Sequence, residues 1–513
     1  MDASIGSDIS CPLFVEKGRC PYGYKCRFLG GHVEKAMDRE GLLPFAEAGS
    51  LVTSARASIE EINTVGASLF KSLRSRQFST PKADGYFKQP EETATPAIDA
   101  SDKQLNDASE AASAQSFKQN LLTTTAESSD TPDVPFKPRE KTRLNWTGLT
   151  YLAPLTTVGN LPFRRLAVSL GADITCSEMV LSGSLLQGSR EEWSLVRRHP
   201  SERVFGVQVA GSKAVPLARC AEVLAEELGS GENPGIDFID VNCGCPIDLV
   251  FQTGAGAALL DAPGKLGKII RAMNHSIGAI PLTIKARTGV KDGKNTTHKL
   301  MSRVGGWGVS AMTIHGRTRQ QRYTKMADWN YIRECVEALR EHTKDNDFSP
   351  IPIFGGGDVY SSQAYWDCLE KYGIDGVMIG RGALIKPWLF TEIKERREWD
   401  ISARERLDLI RQYVDHGLNH WGSDTMGVNT TRRFLCEALS FQHRYIPVGL
   451  LEVMPGRIND RPPRFRGRNE LETLLASTQV TDWIKISEMF LGPVPENWTF
   501  IPKHKSNAVE GNG

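Results

Sequence analysis

IDFIDVNCGCP, residues 236–246, joins a short apolar run to an abrupt stop. Ile236, Phe238, Ile239 and Val241, broken by Asp237 and Asp240, are enough for one buried strand. Asn242, Cys243, Gly244, Cys245 and Pro246 then form a tight turn that hangs polar and thiol groups off the strand's C-terminal end. Three readings of the thiol pair compete. In the first, Cys243 and Cys245 are ordinary buried thiols, the usual fate of a cytosolic cysteine. The second is a linked or metal-bound pair. A metal site needs about four ligands, however, no second Cys or His pair lies close in sequence, and a disulfide across one residue would be strained. In the third, one thiol is a proton donor: an unperturbed cysteine, with a pKa of about 8.5, is mostly protonated at neutral pH and can act as a general acid.

Outward from this strand the same texture repeats. From Trp146 on, strand-like runs alternate with helical patterns: YLAPLT from 151, ADITCSEMV from 172, RVFGVQV from 203, IDFIDVN from 236, PLTIKART from 281, VSAMTIH from 309, PIPIFGGGD from 350 and GVMIGRG from 376. Helices are expected over Leu161–Leu170, Pro263–Asn274 and Asp328–Glu341 among others. Eight strand–helix units in about 245 residues match a (β/α)8 barrel, in which chemistry is done at the C-terminal ends of the strands. An open doubly wound sheet is the alternative, but steady alternation favours closure.

The predicted strand ends carry Pro154-Leu155-Thr156, Glu178-Met179, Gln208, Asn242 with Cys245, Lys285 with Arg287, His315 with Arg317, Gly355-Gly356-Gly357-Asp358 and Gly380-Arg381. Closure brings all of them to one face. The last two clusters offer bare backbone N–H groups and a cation beside helix N-termini, which is how phosphate is held after the seventh and eighth strands. Lys285 and His315 are placed to face an electron-rich ring. The pattern predicts a phosphorylated cofactor lying across the barrel mouth.

The chain has 513 residues, too many for one core. Its 62 Lys+Arg against 61 Asp+Glu leave a net charge of +1, so a basic surface requires local clustering. The N-terminus lacks the basic flank and apolar core of a secretory signal, no run is long and apolar enough to span a bilayer, and ten sparse cysteines suit a reducing compartment. Four segments are expected: a small finger at 1–45, a flexible linker at 46–140, the barrel at 141–396, and a helical domain with its tail at 397–513.

Within the first segment, Cys11, Cys20, Cys26 and His32 are spaced C-x8-C-x5-C-x5-H. Three thiolates and an imidazole make a closed zinc site able to order a segment with no core of its own. Phe14, Tyr22, Tyr24 and Phe28 alternate with Lys17, Arg19, Lys25 and Arg27, rings to stack bases and cations to meet phosphate. This resembles a CCCH zinc finger of the RNA-binding kind, departing from it in the last gap, where three residues are commoner than five. The linker is rich in Ala, Ser, Thr, Glu, Lys and Pro and buries too little apolar area to offset its conformational entropy; one helix within 57–76 is the exception expected. Beyond the barrel the clearest helices are Arg404–Trp421 and Thr430–Phe441, followed by an accumulation of cations: Arg432, Arg433, His443, Arg444, Arg457, Arg461, Arg464, Arg466 and Arg468.

LAPLTTVGNLPFRRL, the VNCGCP turn, IKARTG, IHGRTRQQRY and MIGRGAL together resemble the tRNA-dihydrouridine synthase family. The finger and RGALIKPWLF resemble its eukaryotic subclass with CCCH fingers, which acts at position 47 in the variable loop. The resemblance implies FMN as cofactor, NADPH or NADH as reductant, zinc in the finger, and a uridine of tRNA as substrate, with mRNA as a further one. It implies cofactor contacts from Pro154, Leu155, Thr156, Gln208, Asn242, Lys285, His315, Gly356, Gly357, Asp358, Gly380 and Arg381, and makes Cys245 the proton donor. Cys243 sits where the family varies and is given no role. Arg287, Lys291, Arg317 and Arg319 near the mouth, with Arg464 and Arg466 beyond the barrel, are expected to meet the RNA, and the loop 289–299 to act as a mobile grip. The seventh strand of the family usually ends G-N-G-D, whereas Gly356 here replaces the Asn, and one finger stands where relatives often have two. A monomer of cytoplasm and nucleus is expected. Two other readings stay open: a flavin reductase of a free pyrimidine or enone, and an RNA-binding protein on an inactive barrel.

Overall fold

The computed structural model describes residues 61–88, 141, 144–229, 234–346, 348–450, 465–496 and 498–503. Eight parallel strands close on themselves: β1 (Tyr151–Leu152), β2 (Ile174–Cys176), β3 (Val204–Ala210), β4 (Phe238–Cys243), β5 (Leu282–Arg287), β6 (Ala311–His315), β7 (Ile353–Gly356) and β8 (Gly376–Ile379). Each pairs with its successor, and β8 returns to β1 through Tyr151–Met378 and Leu152–Ile379. A two-residue strand, Val180–Leu181, adds to the end of β3 outside this ring. The expected closed barrel is therefore the observed one, and all eight predicted runs supply its strands.

Strand side chains alternate between two faces, and here the alternation separates packing from chemistry. On β4, Ile239, Val241 and Cys243 join the main core between barrel and helices. Phe238, Asp240 and Asn242 face the barrel interior. Phe238 belongs to an aromatic plug at the N-terminal end, where Trp146 lies 5.4 Å from it and 6.1 Å from Phe354, edge-on in both cases. The plug requires glycine beside each ring: a Cβ on Gly206 would come within 2.1 Å of Phe238, and one on Gly376 within 2.4 Å of Phe354. The base is thus filled by aromatic side chains, and Asp240 and Asn242 follow above it, toward the mouth.

Residues 61–88, which composition assigns to the flexible linker, are folded against the barrel. They form α1 (Ala67–Arg74), inside the 57–76 stretch where one helix is expected, and α2 (Pro81–Lys88), beyond it. The reason lies in a few directed contacts that composition does not register. Leu69 and Leu73 enter the main core. Asn63 donates to the carbonyls of Val196 and Gly235, both at 2.9 Å. The buried Glu222 carboxylate accepts the Lys82 and Ala83 N–H groups at 2.9 and 2.8 Å, capping α2 from another helix.

Between the strands run α3 (Leu161–Ser169), α4 (Ala214–Leu228), α5 (Pro263–Ser276), α6 (His298–Trp307), α7 (Trp329–Asp345) and α8 (Ser362–Tyr372). After the barrel come α9 (Ala403–Trp421), α10 (Thr425–Gln442) and α11 (Val480–Leu491). Ser402 and Glu405 form a reciprocal capping box that fixes the start of α9. α9 packs on α3 and α10, and α10 on α11. At the junction Lys386 is buried between Glu392 at 2.6 Å and Glu398 at 3.1 Å. No helix among the described residues is long and apolar enough to cross a membrane.

Candidate active site

The turn after β4 is held by its own asparagine. Asn242 Oδ1 accepts the Gly244 N–H at 3.1 Å and the Cys245 N–H at 2.8 Å, while its Nδ2 donates to Gln208 Oε1 at 2.7 Å. Arg287 reaches across from β5 and donates from Nε to the Gly244 carbonyl at 2.7 Å. So clamped, Cys245 is presented to a cavity at the barrel mouth. Burial raises its thiol above the ordinary cysteine range, only partly offset by the Ile247 N–H and by the cations Arg287, Lys285 and Arg319. It is therefore protonated at neutral pH. Cys243 points the other way, fully buried against the helices, as its lack of an assigned role requires.

The cavity has a volume of about 650 Å³, within the range of small-molecule and cofactor sites. All twelve residues expected to touch a cofactor line it: Pro154, Leu155, Thr156, Gln208, Asn242, Lys285, His315, Gly356, Gly357, Asp358, Gly380 and Arg381. Lys285 stands opposite Asn242 in the β4–β5 register. Burial, then the charge of Arg287, lower its ammonium to about 8. His315 is neutral at pH 7, because burial and four surrounding cations hold it well below its ordinary value. Its Nε2 faces Arg317 Nη1 at 3.3 Å, so that nitrogen is the acceptor and the proton sits on Nδ1.

The far end of the cavity is built around Asp358. Its backbone is left-handed, φ 56°, a conformation that Asp tolerates better than most residues. Its carboxylate takes Arg317 Nη2 at 2.5 Å, Arg381 Nη2 at 2.9 Å and the Ala327 N–H at 2.8 Å. Burial pushes this carboxyl up, but the Arg317 hydrogen bond and the other partners outweigh it and hold the group below the usual carboxylate range. Arg381 Nη1, in contrast, is buried without a hydrogen-bond partner. Next to Asp358 in the chain, Gly357 has φ 134°, and a Cβ there would meet Ala327 at 2.5 Å. An unsatisfied guanidinium N–H and bare glycine backbone lining one cavity are a fitting receptor for phosphate. Gly356 is less constrained, since a Cβ would find only ordinary contacts. The residues present thus fit a phosphorylated cofactor.

Several lining residues escape a reading of the sequence alone. Ile247, Leu249, Tyr323, Tyr360 and Phe441 all reach the cavity, but from loops, from the short helix Asp248–Gln252 and from α10 rather than from strand ends. Tyr323 is the most legible of them, closing the quoted IHGRTRQQRY motif. Its ring lies 4.6 Å from the Arg381 guanidinium.

The cations assigned to RNA divide. Arg317 is fully buried, bound to Asp358 and to the Lys325 carbonyl, and cannot meet a polyanion. Arg287 is likewise buried, donating to the carbonyls of Gly244, Thr318 and Arg322. Both hold irregular backbone whose carbonyls lack strand partners, a need that sequence does not announce. Arg319 sits at the rim, paired with Asp248 and stacked 3.7 Å over Phe251, and Lys291 is exposed. The loop 289–299 is not a free grip. Arg319 and Gln320 N–H groups bond the Gly289 and Val290 carbonyls, and Asp292 takes Gln321 and Lys325, both at 2.8 Å. Of the C-terminal cations, Arg432 is a buried clamp on Ser487, Leu491 and Gly492, and Arg468 is paired with Asp400 and Glu472. Arg433 and Arg466 are exposed. Arg464 and the finger ligands Cys11, Cys20, Cys26 and His32 lie outside the described residues.

Comparison with known proteins follows the same lines. A family model described as dihydrouridine synthase (Dus) matches residues 151–441, and one described as the DUS3L CCCH zinc finger domain matches residues 5–35. A Coprinopsis cinerea protein named tRNA-dihydrouridine(47) synthase (NAD(P)(+)) is 56% identical over 537 residues, covering 99% of this chain and 79% of that one. The protein of that name from Cryptococcus neoformans is 52% identical, with 99% and 76% covered. A Homo sapiens protein named tRNA-dihydrouridine(47) synthase (NAD(P)(+))-like is 45% identical, with 98% and 75% covered.

Proposed function

The chain belongs to the dihydrouridine synthase family, and from that premise we propose that it reduces the C5=C6 bond of a uridine in tRNA to 5,6-dihydrouridine, at position 47. FMN is the proposed cofactor and NADPH or NADH the reductant. The observation that carries this reading is the placement of the Cys245 thiol, held by a clamped turn on a cavity whose opposite end carries Arg381, with its Nη1 unpartnered. Arg381 with the Gly356 and Gly357 backbone would hold the flavin phosphate. Gln208, Lys285, His315 and the Pro154-Leu155-Thr156 segment would hold its ring.

The chemistry supplied by the bound flavin is hydride donation to C6 of the uracil. The protein must then quench negative charge at C5, and Cys245 Sγ gives up its proton there. One hydride and one proton complete the addition, and the thiolate is reprotonated from solvent. The Lys285 ammonium, charged at neutral pH, opposes the developing anion. Because a base within folded RNA is out of reach, the uridine is turned out into the barrel mouth. In the finger, Cys11, Cys20, Cys26 and His32 form the donor set zinc prefers, and the finger adds affinity for RNA without entering the chemistry.

Incubation of the purified, yellow protein with NADPH and an unmodified tRNA transcript, followed by mass mapping, should place dihydrouridine at position 47; the same assay on mRNA tests the further substrate. Turnover of a free enone with no reduction of tRNA would overturn the proposal. Removal of residues 1–45 is expected to raise the KM for tRNA and leave the single-turnover rate at saturation nearly unchanged; an unaltered KM would assign the finger to another partner. The pH dependence has a definite sign. Lys285 loses its charge as pH rises through about 8, whereas Cys245, raised above the ordinary thiol, stays protonated longer. Single-turnover uridine reduction should therefore be level near neutrality and fall above about 8, and Lys285→Met should move that fall to higher pH.

A further inference from the structure

Asp240 lies inside the barrel one layer below the cavity floor, fully buried, and takes no part in the steps above. We propose that it is a positioning residue that fixes which way round the Gln208 and Asn242 amides face, and through them the placement of the Cys245 turn. This inference rests on Cys245 being the proton donor.

The three strands concerned are neighbours in register, with Gln208 beside Asp240 and Asp240 beside Thr283. Asp240 Oδ1 accepts the Thr283 hydroxyl at 2.6 Å, and Oδ2 accepts Gln208 Nε2 at 2.8 Å. Gln208 Oε1 is thereby turned to Asn242 and accepts its Nδ2 at 2.7 Å. Only in that orientation does Asn242 present an oxygen to the Gly244 and Cys245 N–H groups. The chain of bonds has a direction, because a carboxylate accepts and backbone N–H groups donate. With an acceptor at one end and donors at the other, both amides have one satisfactory orientation. Reversing either sets N–H against N–H in a buried site, where an unsatisfied donor is costly.

Asp240 is not among the residues that line the cavity, so its loss reaches the cofactor only through the Gln208 and Asn242 amides, while Lys285, His315, Arg381 and the glycine backbone keep hold of it, and it should be felt chiefly at the thiol. In Asp240→Leu holoenzyme, flavin content and flavin reduction by NADPH should persist. Single-turnover reduction of tRNA uridine should fall by up to about a hundredfold, the loss that a misplacement near 1 Å can bring. Alkylation of Cys245 by iodoacetamide, followed by peptide mass mapping, should accelerate as the turn loosens. A second pair of variants keeps side-chain size. Gln208→Glu sets two carboxylates face to face and should slow uridine reduction. Gln208→Glu combined with Asp240→Asn reverses the bond between these two residues and again matches every donor with an acceptor. The amide introduced on β4 would donate to the carboxylate introduced on β3, and that carboxylate would accept in turn from Asn242. The double variant should therefore recover most of the loss. An undiminished rate in Asp240→Leu, or no recovery in the exchanged pair, overturns the inference. Wild-type protein that reduces no uridine in tRNA would instead overturn the proposed function, whichever way the Asp240 variants behave.

Discussion

Cys245→Ala is expected to keep its flavin, to accept electrons from NADPH at the normal rate, and to lose uridine reduction by about 10²–10⁴-fold, the ordinary contribution of a positioned general acid. The reasoning begins with the turn, not the thiol. Asn242 and Arg287 grip the Gly244–Cys245 peptide by its N–H and its carbonyl, and neither bond uses the sulfur, so the substitution should leave the turn in place. Burial then raises the thiol above its ordinary range, keeping the proton available at pH 7. Stopped-flow oxidation of the reduced protein by tRNA isolates the step concerned. Cys243→Ala is the control: that side chain packs outward into the core, and the expected consequence is a small loss of stability with uridine reduction preserved. A Cys245→Ala protein that oxidised at the wild-type rate would show that C5 takes its proton from elsewhere.

The barrel is legible in the sequence because its strands advertise themselves twice, as apolar runs and as polar residues at their C-terminal ends. Gln208, Asn242, Lys285 and His315 are found at the mouth because the two-residue period of a strand aims them inward together. Asp240 obeys the same period yet does not stand out, since a lone acid within a strand reads as an interruption and its Gln208 and Thr283 partners lie on other strands. The arginines mislead in the opposite direction. Arg287 and Arg317 look like RNA contacts because they are cationic and near the mouth, but both end on buried carbonyls of irregular loops, and Arg317 also on the Asp358 carboxylate. Tyr323 and Phe441 reach the cavity from a loop and from α10, so no strand period could announce them. The segment 61–88 fails as a linker for a related reason: its docking depends on Glu222 and on the Val196 and Gly235 carbonyls, all supplied by residues distant in sequence.

Arg381→Ala is expected to weaken flavin retention by roughly 10- to 150-fold, the worth of about 1.5–3 kcal/mol for a hydrogen bond to a charged group, while leaving the melting temperature of the flavin-free protein close to wild type. The geometry separates the two consequences. Arg381 shares Asp358 with Arg317, and when Arg381 is removed the Arg317–Asp358 pair at 2.5 Å remains intact. What disappears is one of two cations on Asp358, a contact with the Tyr323 ring, and Nη1, which has no hydrogen-bond partner in the protein to miss it. Asp358→Asn should behave differently. It keeps a side chain that tolerates the left-handed backbone, but it removes the charge that pairs with Arg317, whose guanidinium is wholly buried. Breaking a buried pair from one side costs about 3–5 kcal/mol, so this variant should melt markedly lower and also lose flavin, because Arg381 is no longer oriented. Flavin content after dialysis, read beside the melting temperature of the stripped protein, distinguishes the two. If Arg381→Ala held its flavin in full stoichiometry, the phosphate would not lie at Asp358–Arg381, and Lys285 would be the cation to substitute next.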